Sequence, residues 1–172
     1  MRNDKFSTSS VRETQKIGED IAKKLRGGEI VFLSGILGAG KTELIRGIAR
    51  GLGIKTKVSS PTFNIFRIYN FIFPRRNIAC HVPIKGRLYH FDCYRLRKYS
   101  DLVDLGWKEI LAEENSIVVL EWPECIVDAD ITKLRNKKII SVEIEISKND
   151  TRIFDIEYKT LLPRLKGMGR VE

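Results

Sequence analysis

Apolar positions change their spacing several times along the chain, and each change predicts an element. Val11, Ile17, Ile21 and Leu25 recur at helical spacing behind the capping box Ser10-x-x-Glu13, so an amphipathic helix is expected, ending before Gly27-Gly28. Residues 29–34, EIVFLS, form a short apolar run rich in β-branched residues and read as a buried strand. A glycine-rich stretch follows from Gly35 to Gly40. Leu44, Ile45, Ile48 and Leu52 then return at helical spacing towards Gly51 and Gly53.

Further along, Phe63 to Phe73 is aromatic and β-branched and predicts one long strand or a strand pair. The run 74–86, with two prolines and a glycine, reads as a loop or hairpin tip, and Leu88 to Tyr94 as a returning strand. Asp101 to Asn115 predicts one or two short helices. Ile117 to Leu120 is the clearest buried strand, closed by the acid Glu121. Ile139 to Ser147 alternates, turns at Asn149-Asp150, and alternates again from Arg152 to Tyr158, which predicts a hairpin at the sheet edge. The pattern carries no repeat and no low-complexity tract.

Composition narrows the class. The chain has 172 residues, 42% hydrophobic and 31% charged, which suits one globular domain over 1–172. No apolar run approaches the ~20 residues of a membrane helix, and the polar start lacks a secretory signal core. Cys80, Cys93 and Cys125 are odd in number and form no C-x-x-C pair, so reduced thiols in a cytoplasmic protein are expected. The net charge is +9. From Arg67 to Lys98 eight basic residues (Arg67, Arg75, Arg76, Lys85, Arg87, Arg95, Arg97, Lys98) face one acid, Asp92. Such a run predicts contact with a polyanion or an acidic protein face, or simply a solvated basic surface.

The chemistry is concentrated in Gly35-Ile36-Leu37-Gly38-Ala39-Gly40-Lys41-Thr42, which satisfies G-x-x-x-x-G-K-[ST] between a predicted strand and a predicted helix. Glycines let successive backbone N–H groups curl around a phosphate, and the following helix aims its positive end at the same anion. Lys41 can reach the β- and γ-phosphates and Thr42 can ligate Mg²⁺. This predicts an α/β fold, a P-loop NTPase three-layer sandwich with a mostly parallel central sheet and an antiparallel hairpin edge. A second metal anchor and a water-orienting group are required, and acids at strand C-termini are the natural candidates. Glu121 and Asp92 both qualify, and spacing alone does not divide the two roles between them.

The succession of G-x-L-G-A-G-K-T, Ser60-Pro61-Thr62-Phe63, Y-H-F-D-x-Y-R-L (Tyr89 to Leu96), a short helix with Leu105-Gly106, and V-L-E-W-P-E (Val119 to Glu124) resembles the TsaE family, also called YjeE. The resemblance spans roughly residues 10–158. It implies a small Mg²⁺-dependent ATPase, weak alone and stimulated by partners. It also implies an accessory role in forming threonylcarbamoyladenosine in tRNA, with TsaB and TsaD as the partner proteins. Carried over, Thr42 and Glu121 hold Mg²⁺, while Asp92 is the catalytic or water-positioning acid beside the catalytic Lys41. The backbone from Gly38 to Glu43, with Gly35 and Leu37 in the same loop, wraps the phosphates. Ser60, Pro61 and Thr62 form a switch that senses the γ-phosphate, and the base lies between Val11 and Arg152. Trp122 sits beside the metal acid.

This chain departs from the family pattern at several points. Ile36 stands where the family often has Asp, Glu43 where a second hydroxyl often follows the loop, and Thr151 where Gly usually precedes the arginine of the last hairpin, Arg152. A basic insertion occupies about 70–87, and the tail at about 160–172 matches nothing. His90 reads as a hydrogen-bonded strand histidine before a general base. Cys80-His81 reads as chance adjacency, since no second pair lies at metal-ligand spacing. Trp107, Trp122 and the aromatics from Phe63 to Phe73 read as packing before nucleic-acid stacking. Two other functions fit the motif: a small P-loop kinase phosphorylating a metabolite, with Arg67 to Arg87 as a lid, and a nucleotide-gated RNA-binding module.

Overall fold

The computed structural model describes residues 2–61, 64–73, 83–124, 134 and 137–160. In chain order they form β1 (Arg2–Thr8), α1 (Val11–Ala22), β2 (Ile30–Ser34), α2 (Lys41–Gly51), β3 (Phe66–Ile72), β4 (Lys85–Asp92), a 3₁₀ turn (Cys93–Arg95), α3 (Tyr99–Val103), α4 (Trp107–Ala112), β5 (Ser116–Glu121), β6 (Lys138–Ile146) and β7 (Arg152–Thr160). One seven-stranded sheet runs β1-β7-β6-β2-β5-β4-β3.

The sheet is mixed. β2 pairs in parallel with β5 and β6, and β4 with β5, while β1–β7, β6–β7 and β3–β4 are antiparallel. The expectation of a mostly parallel sheet therefore holds only for the centre. The β6–β7 hairpin is not an edge either, because β1 pairs with β7 along Arg2↔Tyr158 to Thr8↔Arg152. The Phe63–Phe73 run contributes one strand, which forms a hairpin with β4, and residues 74–82 between them lie outside the described residues.

Alternation along the central strands divides the core in two. Val31, Leu33, Ile117, Val119, Ile140 and Val142 face one side, where they meet α1 and α2 through Ile21, Leu44, Ile45 and Ile48. Ile30, Phe32, Val118, Leu120 and Phe91 face the other side, with Leu102, Trp107 and Ile110 of α3 and α4. The result is three layers, helix on sheet on helix. Trp107 is fully buried and edge-on to Phe91 at 5.7 Å, so it packs as expected.

The α1–α2 contact depends on glycine. A Cβ at Gly47 would lie 2.1 Å from the Gln15 carbonyl oxygen, and one at Gly18 only 2.3 Å from that of Leu44. These positions let the two helix backbones approach each other directly. Gln15 Nε2 donates to Glu43 at 2.8 Å, and Arg46 pairs with the same carboxylate. Ser10 caps α1 by accepting from the Glu13 N–H, and the Glu13 carboxylate reaches back to accept from the Ser9 N–H at 2.7 Å.

Candidate functional site

Three chain reversals meet at the C-terminal ends of β2, β4 and β5. β2 hands over to α2 through the glycine loop, whose Gly38 (φ 79°) and Gly40 (φ 108°) have left-handed backbones. Gly40 lies directly before the first residue of α2, so the N–H groups of the first helical turn open towards the loop. Ile36 and Leu37 are exposed at 62% and 88%.

Lys41 is folded into this loop. It is 5% exposed, and its Nζ donates to the carbonyl oxygens of Gly35 (2.5 Å) and Ile36 (3.1 Å). The Trp122 ring lies 3.8 Å from the ammonium, a cation–π contact. Burial draws the Lys41 ammonium below its ordinary pKa, and the carboxylates of Glu121, Asp92 and Glu124 oppose that shift. Trp122 is thus more than a packing residue.

The acids converge from the neighbouring strands. Asp92 and Glu121 close β4 and β5 and are register partners, 7% and 4% exposed. Thr42 Oγ1 lies 3.4 Å from Glu121 Oε1. Asp92 accepts from the Tyr94 N–H at 3.1 Å, and its other oxygen is 3.5 Å from Ser60 Oγ. His90 is fully buried with Nε2 2.8 Å from Glu121 Oε1, so it is hydrogen-bonded as expected, and its partner is the metal-acid candidate itself. Backbone strain flanks both acids. Ile65 (φ 64°) accepts from the Asp92 N–H, and Trp122 (φ 58°) donates to Leu33.

The structure thus brings together Gly35 to Thr42, Ser60, Asp92 and Glu121. Pro61 is buried, and Thr62 lies outside the described residues. Glu43 turns its side chain to Gln15 and Arg46, leaving its backbone in the first turn of α2. Arg152 reaches the loop, since a Cβ at Gly40 would sit 3.8 Å from Arg152 Cδ and 3.9 Å from Thr14 Cγ2. Val11, one helical turn before Thr14, is 57% exposed. Thr14 escaped the sequence reading because a helical threonine carries no motif signal. Cys80, His81 and Cys125 lie outside the described residues, and Cys93 is a buried thiol outside any disulfide.

The donor set suits magnesium. Thr42 and Glu121 offer hard oxygens within one ion's reach, with Asp92 alongside. Mg²⁺ characteristically takes one or two carboxylates and completes its shell with water and phosphate. No cluster of three His, Cys, Asp or Glu at metal spacing occurs among the described residues.

The basic run is less concentrated in space than in sequence. Arg67, Lys85, Arg87, Arg95, Arg97 and Lys98 are exposed, and Arg75 and Arg76 lie outside the described residues. Lys85 opens β4 and Arg95 follows its end, so the run spans about 23 Å at the usual rise of an extended strand. Tyr69, Phe71 and Phe73 are buried in the core, and Phe66 stacks on Phe91, which makes these aromatics packing residues. No helix among the described residues is long and apolar enough to cross a membrane.

Comparison with known proteins agrees with this geometry. The sequence profile described as threonylcarbamoyl adenosine biosynthesis protein TsaE matches residues 8–154. The tRNA threonylcarbamoyladenosine biosynthesis protein TsaE of Rickettsia typhi is 32% identical over 155 residues, covering 90% of this chain and 94% of its own. That of Streptomyces coelicolor is 40% identical over 111 residues, covering 64% and 67%. Among solved structures, Bacillus subtilis YdiB superposes with a TM-score of 0.62 at 25% identity, covering 90% of this chain and 84% of its own. With a family profile spanning most of its length, this chain belongs to the TsaE family of tRNA threonylcarbamoyladenosine biosynthesis proteins.

Proposed function

We propose that this chain is a P-loop ATPase that binds and hydrolyses ATP with Mg²⁺, in support of threonylcarbamoyladenosine formation by TsaB and TsaD family proteins. The observation that carries the reading is Lys41, a buried cation held inside a glycine loop at a helix N-terminus, with Thr42, Glu121 and Asp92 around it. A buried cation in a glycine loop at a helix N-terminus, with carboxylates beside it, is the arrangement expected where a phosphate and a divalent cation bind together.

In this reading the backbone from Gly38 to Glu43 wraps the phosphates, with Gly35 and Leu37 completing the loop. Lys41 leaves the Gly35 and Ile36 carbonyls to meet the β- and γ-phosphates. Thr42 and Glu121 hold Mg²⁺, which when bound neutralises phosphate charge. Asp92, fixed by the Tyr94 N–H, orients the attacking water. Ser60, Pro61 and Thr62 respond to the γ-phosphate, with Ser60 already near Asp92. Val11 and Arg152 border the base. The basic segment 67–98 faces tRNA or an acidic partner surface. The protein works in the cytoplasm as one domain.

Turnover by the chain alone is slow, because no arginine is assigned to the transferred phosphoryl group and partners complete the site. The test is ATP turnover by the purified chain with product analysis. ADP and inorganic phosphate, at a rate below roughly 10 s⁻¹ that rises with TsaB and TsaD, are expected. A phosphorylated small molecule would make the protein a kinase, and a fast partner-independent rate would contradict an accessory role.

A further inference from the structure

A carboxylate holds a metal only if it points the right way, and Glu121 has a neighbour that fixes its direction. His90 pairs in register with Val119 on the adjacent strand, so Glu121, two residues on, is its diagonal neighbour on the same sheet face. The imidazole is 0% exposed, and its Nε2 is 2.8 Å from Glu121 Oε1, the oxygen that also faces Thr42 Oγ1 at 3.4 Å. A carboxylate only accepts, so the ring nitrogen donates and the Nε2–H form is selected. Nδ1 has no hydrogen-bond partner among the described residues. The ring is therefore buried at a polar cost on one side, and its one compensation is the bond to Glu121. An aliphatic side chain would fill this place in the sheet without that cost.

We infer that His90 is a positioning residue. Its Nε2–H fixes the Glu121 carboxylate in the orientation that faces Thr42, and so sets the affinity of the site for the divalent cation. Hydrogen bonds of this kind to metal-ligating carboxylates change metal affinity without touching the metal. The inference rests on the proposed role of Glu121 as the metal acid.

The experiment measures Mn²⁺ binding to the full chain with ADP by electron paramagnetic resonance, beside ADP affinity in EDTA. His90→Leu is expected to weaken Mn²⁺ by about tenfold or more while leaving metal-free ADP affinity unchanged. His90→Gln, whose amide nitrogen reaches the place of Nε2, is expected to restore most of the Mn²⁺ affinity. His90→Asn, whose amide reaches only the place of Nδ1, is not. Wild-type Mn²⁺ affinity in a folded His90→Leu chain would overturn the inference, as would equal behaviour of the Gln and Asn variants, which also decides the matter if His90→Leu does not fold. Glu121→Gln separates the two levels. If it loses Mn²⁺ while His90→Leu keeps it, only the positioning role falls. If it too keeps Mn²⁺, the metal-acid reading falls and the inference with it.

Discussion

The two ends of the sheet are both charged, yet they are built on opposite principles. At the N-terminal ends of β4 and β5 lies a cleft of about 820 Å³ lined by Asn70, Lys85, Arg87, Glu113 and Asn115. Its Arg87 and Glu113 are paired in the open: Arg87 bonds Glu113 at 2.8 Å and Tyr89 Oη at 3.1 Å, with the Arg87 and Glu113 side chains 53% and 37% exposed. At the C-terminal ends, Lys41, His90, Asp92 and Glu121 are all buried, and Lys41 is bonded to backbone carbonyls. The comparison teaches that room for a ligand and need for a ligand are different properties. The first end has volume, and its charged side chains lie in water, with Arg87 already paired to Glu113. The second has buried charge that a phosphate and a cation would balance.

Breaking the comparison begins at its strongest point. Lys41→Ala should weaken ATP binding on the order of 10²-fold or more, since it removes a buried charged partner of the phosphates. Calorimetric titration reads this directly, and unchanged affinity would remove Lys41 from the phosphate site. Next, Asp92→Ala should leave ATP affinity intact and cut turnover on the order of 10²-fold, the scale of a positioned acid or base. Wild-type hydrolysis in that variant would assign the water to another group. Gly47→Ala should then cost about 1–3 kcal/mol of stability, because its methyl would press on the Gln15 carbonyl. Denaturant unfolding measures it, and an unchanged midpoint would mean that α1 and α2 separate freely. Smallest of all, Arg87→Gln at the open end should leave ATP affinity and turnover at wild-type values, with only a slight change in Tm, as exposed ion pairs contribute little. A large loss of ATP binding there would move the site to the wrong end.

What the sequence disclosed follows from which interactions are local. The strand, glycine loop and helix from 30 to 51 were legible because periodicity and φ requirements act within a few residues. β1 was not. Arg2–Thr8 carries one large apolar residue, Phe6, which is 45% exposed, so the strand exists through its ladder with β7 and not through its own pattern. With β1 unseen, the β6–β7 hairpin looked like an edge. The glycines of α1 and α2 look like helix weaknesses in sequence, and only the packed pair reveals that a side chain would not fit. At the site, Lys41 and Thr42 were fixed by the motif. The meeting of Asp92, His90 and Glu121 depends on the parallel register of β4 and β5 across some thirty residues, which no local signal encodes.

The central claim is that a triphosphate and a divalent cation complete the charge balance at the C-terminal end of the sheet. Its most direct test is a crystal structure with a non-hydrolysable ATP analogue and manganese, which anomalous scattering locates. The account predicts phosphates along the backbone from Gly38 to Thr42, with the manganese peak between Thr42 Oγ1 and the Glu121 carboxylate. A nucleotide bound elsewhere, or manganese beyond reach of both oxygens, would contradict it.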